Sequence, residues 1–104
     1  MKRKLYLALS TLAVAFTLSN VAGASDVFHK NCGTCHAGGK NIMNPDKTLT
    51  KESLEKNGVN NLDAIKALVS DGKAPMPAFK SLLDEKQIND VSAFVLEQAE
   101  KGWE

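Results

Sequence analysis

Cys32-Gly33-Thr34-Cys35-His36 forms a C-x-x-C-H segment, and no other feature restricts the chain as much. Two residues between the cysteines let both sulfurs reach the two vinyl groups on one side of a porphyrin, and the histidine that follows falls under the iron. A peptide this short tethers the ring and sets its orientation together. The segment predicts one covalently attached haem, held by Cys32 and Cys35, with His36 as an axial ligand. Such a pair has three other uses. A redox disulfide sits at a helix start in a βαβ setting, and no such pattern surrounds this one. A zinc site needs four ligands, yet the chain has no second cysteine pair and only His29 and His36 as histidines. An inert disulfide is the third use, open to any exported protein.

A six-coordinate haem needs a second axial ligand from the opposite side. The candidates are His29, Met43, Met76 and the lysines. His29 and Met43 lie within seven residues of His36, too close for the chain to pass round the ring edge. Met76 lies far enough along to reach the other face, and Pro75 and Pro77 hold it in an extended segment. Met76 is the expected ligand, against the commoner use of methionine as core filler. A thioether opposite an imidazole favours ferrous iron and raises the potential. With both positions filled, a substrate finds no open site, so the chemistry expected is electron transfer and not catalysis.

The ends bound the compartment and the size. Met1-Lys2-Arg3-Lys4 is a basic head, 5–18 is an apolar run, and Ala22-Gly23-Ala24 is a small-residue cleavage site. That order reads as a secretory signal peptide. A spanning anchor would need roughly 20 apolar residues, more than the run supplies. Cleavage after Ala24 removes 1–24 and leaves 25–104 as one small domain. A chain of that size has a thin core and needs a staple, which a covalently bound apolar cofactor provides. Loss of Lys2, Arg3 and Lys4 takes the formal charge from +1 to −2, and the remaining basic residues are all lysines. Nucleic-acid binding, which wants a basic face, is excluded.

The remainder reads as all-α, with about four short helices and long loops. A brief first helix is expected over Asp26–Asn31 with Phe28 inward. Thr50–Asn57 follows, with Thr48 or Thr50 as cap and Gly58 beyond its end. Asn61–Asp71 carries an apolar stripe of Leu62, Ile65, Leu68 and Val69. The last helix starts at Asp84, with Gln87 completing a capping box. Ile88, Val91, Phe94, Val95 and Ala99 form its buried face, and it stops near Gly102.

Three stretches carry a family resemblance: the run from Asn31 through the haem motif to Ala37-Gly38-Gly39-Lys40-Asn41, the segment Gly72-Lys73-Ala74-Pro75-Met76-Pro77-Ala78-Phe79, and the ending from Val91-Ser92-Ala93-Phe94-Val95 to Trp103. Together they resemble cytochrome c6, the soluble algal and cyanobacterial carrier. The resemblance implies a class I cytochrome c fold wrapped around one haem c, with His36 and Met76 as axial ligands and Asn41 close to the haem. It implies electron transfer from the cytochrome b6f complex to photosystem I in the thylakoid lumen, by a monomer that docks transiently. It also implies a crossing of the first and last helices, where Phe28 and Phe94 meet. Two positions differ from the family pattern. Ala24 stands where the family has a glycine four residues before the phenylalanine. Leu82 stands where members carry an arginine used in docking, a charge for which Lys66, Lys73 or Lys80 could substitute.

A periplasmic cytochrome c serving a respiratory oxidase or reductase shares the same motif and ligands, and only its partner separates it. A thiol–disulfide or metal protein built on Cys32 and Cys35 is the alternative from another class; it would be colourless.

Overall fold

The computed structural model describes residues 23–103. The expected signal segment lies outside the described residues except for Gly23 and Ala24. Helix α1 runs over 23–31, which is earlier than the Asp26 start expected from sequence. Its turns carry Ala24 and Phe28 on one face, and both are buried. Ala24, the last residue before the expected cleavage, is 4% exposed.

The haem motif itself winds into a single turn, α2 (Gly33–His36), followed by a 3-10 turn over Ala37–Gly39. No helix is expected here from the sequence. Gly38 and Gly39 take positive φ values of 65° and 80°, which end the turn and reverse the chain. Helix α3 (Lys51–Lys56) is capped by Thr50, whose side chain accepts from Ser53 N. Helix α4 (Leu62–Asp71) is capped by Asn61, whose side chain accepts from Ala64 N. Gly72 closes α4 with φ 71°. In both helices a short polar side chain takes up an amide that would otherwise lack a partner.

Helix α5 (Glu85–Lys101) is the longest helix among the described residues. Its capping box is complete: Gln87 N donates to Asp84 Oδ1 at 2.8 Å, and Asp84 N donates to Gln87 Oε1 at 2.9 Å. At its other end Gly102 is left-handed, Gly102 N donates to Ala99 O and Trp103 N donates to Gln98 O at 2.8 Å. This is the Schellman arrangement. It turns the chain back, so that Trp103 folds over the body of the molecule instead of extending the helix.

The described residues contain no strand, only an isolated bridge between Lys73 and Met76. None of their helices is long and apolar enough to cross a membrane. The core joins Phe28 of α1, Leu54 of α3, Ile65 and Val69 of α4, Phe79 and Leu83 of the loop that follows, and Ile88, Val91, Phe94, Val95 and Ala99 of α5. The apolar face expected for α5 is buried throughout, and Ser92 is buried with it. Phe28 meets Phe94 at 5.4 Å and Trp103 at 5.3 Å between ring centres. The two ends of the described chain thus close on each other through aromatic rings.

Candidate functional site

Cys32 lies at the junction of α1 and α2. Its amide donates to Phe28 O at 2.8 Å, and its carbonyl accepts from His36 N at 2.9 Å. The continuing helical bonding fixes the spacing of the motif side chains. Both cysteines are free thiols and half-buried. Burial pushes the Cys32 thiol up to about 11, because an apolar setting disfavours the thiolate. No group of three or more His, Cys, Asp and Glu among the described residues is placed to hold a metal ion.

The His36 ring is oriented by its own loop. Its Nδ1–H donates to Lys40 O at 2.7 Å. A carbonyl can only accept, so the proton sits on Nδ1 and the Nε2 lone pair is free to coordinate. Metal-bound histidines carry this kind of second hydrogen bond, which fixes the ring and raises its donor strength. The other histidine is held elsewhere: His29 Nδ1–H donates to Ser25 O at 2.7 Å, on the exposed side of α1.

The loop after the motif is organised by Asn41. Its Oδ1 accepts from Met43 N and Asn44 N, and its Nδ2 donates to Lys47 O. Ile42 N returns to Cys35 O at 3.1 Å. These bonds leave Met43 62% exposed on the surface, turned out of the core.

Met76 is placed differently. It is half-buried and packs against the same apolar cluster as Cys32. Lys73 and Met76 exchange backbone hydrogen bonds, Met76 N to Lys73 O at 2.8 Å and Lys73 N to Met76 O at 3.0 Å, which ties Lys73-Ala74-Pro75-Met76 into one tight turn. The far side is anchored where Phe79 N donates to Val69 O at 2.9 Å. Gly72 seats the turn. A Cβ there would come within 2.7 Å of Met76 O, Pro77 C and Ala78 N. Gly72 thus ends α4 and also allows two backbones to approach closely, and this second role has no local signature in the sequence.

Two half-buried thiols, an imidazole with Nε2 free and a thioether packed on the core are the donor set of a covalently attached, six-coordinate haem. The residues present fit that group.

A family model described as cytochrome C oxidase, cbb3-type, subunit III matches residues 19–95. The chain is 51% identical over 84 residues to the cytochrome c6 of Gloeothece citriformis, covering 81% of this chain and 76% of that protein. It is 47% identical over 105 residues to the cytochrome c6 of Porphyra purpurea, covering 95% and 94%. The crystallised cytochrome c6 of the diatom Phaeodactylum tricornutum superposes with a TM-score of 0.77 at 42% identity, covering 80% of this chain and 98% of that one.

Proposed function

Because the chain belongs to the cytochrome c6 family, a family of electron carriers with one covalently bound haem c, we propose that it takes electrons from the cytochrome b6f complex and delivers them to photosystem I in the thylakoid lumen. Cys32 and Cys35 hold the haem, and His36 and Met76 are the axial ligands. The bound haem supplies a one-electron couple.

The chain's own residues do the rest. The two cysteines anchor one edge of the ring, so the cofactor survives repeated encounters with partners. His36 binds through Nε2 while the Lys40 carbonyl keeps its Nδ1 proton. Met76 presents a soft sulfur that favours the reduced state. Two protein ligands leave no position for a substrate, so the protein converts none. The observation that carries this reading is the contrast between the two methionine positions: Met76 packs on the same apolar cluster as Cys32, and Met43 stands on the surface.

Docking without an arginine relies on lysines. Lys73 is exposed in the Met76 turn, and Lys80 lies just past it, paired with Asp71 at 3.3 Å. The amino-terminal segment 1–24 is the export signal, and 25–104 is the cytochrome domain. Cleavage after Ala24 removes the first described residues of α1, and the mass of the exported protein tests it.

A second reading is favoured by the family-model match, whose description names an oxidase subunit. In that reading the protein is periplasmic and donates electrons to a respiratory oxidase. An optical spectrum of the purified protein comes first: a low-spin c-type reduced spectrum with a thioether-to-iron charge-transfer band when oxidised is expected. A colourless protein, made with haem-maturation machinery present, overturns the haem assignment. Flash-induced oxidation by photosystem I particles then separates the partners. Fast, saturable, salt-dependent oxidation supports the photosynthetic role, and no reaction there with rapid turnover by an oxidase reverses it.

A further inference from the structure

Trp103 touches neither His36 nor Met76 in sequence or in motif, yet its indole is built into the loop that orients His36. Turned back by the Schellman ending of α5, the ring occupies the space beside Gly39. A Cβ on Gly39 would lie 2.5 Å from both Cδ1 and Nε1 of the indole. The indole N–H donates to Leu49 O at 2.9 Å. Leu49 N in turn donates to Gly39 O at 2.8 Å. The indole therefore closes both ends of the loop between Gly39 and Leu49, and Phe28 and Phe94 support its other faces.

Lys40 is the residue next to this clamp, and its carbonyl accepts the His36 Nδ1 proton. On the far side of Lys40 the chain is fixed again, by the Asn41 side chain and by Ile42 N donating to Cys35 O. Lys40 itself is exposed, and its amide makes only a 3.3 Å bond to Ala37 O. The direction of its carbonyl is set by its fixed neighbours, and the Gly39 side of that frame is held by Trp103.

We propose that Trp103 is a positioning residue for the axial histidine: by filling the space at Gly39 and pinning Leu49, it aims the Lys40 carbonyl at His36 Nδ1 and so sets how strongly the imidazole donates to iron. This inference rests on the reading of His36 as an axial ligand. A firm hydrogen bond from Nδ1–H makes the ring a better donor, which stabilises ferric iron. Slackening the clamp weakens that bond and moves the potential upward.

The test uses the haem-loaded protein and three variants. Trp103→Leu removes the aromatic ring and its N–H. Trp103→Phe keeps a ring against Gly39 and removes only the bond to Leu49. Ile88→Ala, at the opposite end of α5, lowers stability without touching the clamp. Two quantities are read: exchange of the His36 Nδ1 proton in the reduced protein by NMR, and the reduction potential by equilibrium titration. Trp103→Leu is expected to speed the exchange about tenfold or more. It should also shift the ferrous-to-ferric ratio toward ferrous by up to about tenfold, which is ~59 mV for one electron. Trp103→Phe is expected to move both in the same direction by less, and it decides the matter if Trp103→Leu does not fold. Ile88→Ala is expected to move neither. The proposal is overturned if both Trp103 variants keep the parent exchange rate and potential, or if Ile88→Ala shifts them equally. A parent protein whose His36 ring lacks the signals of an iron-bound imidazole overturns the axial assignment instead. Normal His36 signals with unchanged exchange in the variants defeat the Trp103 inference alone.

Discussion

The backbone of Gly72 lies against that of Met76: a methyl group on Gly72 would stand 2.7 Å from the Met76 carbonyl oxygen. Neither partner can yield easily, because Met76 is bonded twice to Lys73 and Gly72 sits at φ 71°. Gly72→Ala is expected to cost about 2 kcal/mol from the left-handed backbone alone, and to lift the Met76 turn off its seat. Covalent haem stays, and the thioether charge-transfer band weakens. An unchanged band in a destabilised variant would show that the turn moves without disturbing the sulfur.

Met76→Ala is expected to keep both thioether bonds and lose the sixth ligand. The potential falls, and added imidazole or cyanide binds. Spectral titration with either ligand checks this. A spectrum and potential identical to the parent would remove Met76 from the iron.

Ser92 is 0% exposed, and its hydroxyl has no hydrogen-bond partner among the described residues. It faces inward from α5 among Val91, Val95 and Ile88. A buried hydroxyl left unpaired costs about 1–3 kcal/mol, more than the packing its single oxygen supplies. Ser92→Ala is therefore expected to raise stability by about 1 kcal/mol, which is ~5 °C in Tm for a domain of this size. A lower Tm would mean that the hydroxyl is satisfied by a bound water or by the cofactor.

Phe28 is 3% exposed and meets both Phe94 and Trp103. Phe28→Ala is expected to cost about 3–5 kcal/mol. Calorimetry of the haem-loaded protein, set beside Phe94→Ala and the double variant, checks it. The two losses are expected to be strongly non-additive, since each deletes the same contact.

Much of the fold was legible because its signals are local. Thr50, Asn61, the Asp84–Gln87 box and Gly102 each report a helix end through a bond spanning three or four residues. The α5 face followed from its spacing alone. The helical conformation of 23–24 was not legible, because Gly23 and Ala24 read as cleavage-site residues, and the burial of Ala24 in the core has no local signal. The turn α2 was hidden because it starts on Gly33, runs into Gly38 and Gly39 soon after its end, and is a single turn long. In the candidate site the donor types and their spacing could be read directly. What orients them could not. Lys40 contributes a carbonyl, which every residue has, and Gly39 and Gly72 contribute the absence of a side chain. Trp103 was visible as a family marker, but its contact with Gly39 depends on a chain reversal that brings distant segments together.

The aromatic closure between α1 and the end of α5 also makes folding a non-local event. Phe28 and the haem motif lie towards one end of the described residues, and Phe94 and Trp103 towards the other. Contacts between segments so far apart in the chain slow folding. Until they form, α1 has no ring to close on and Gly39 has no indole over it.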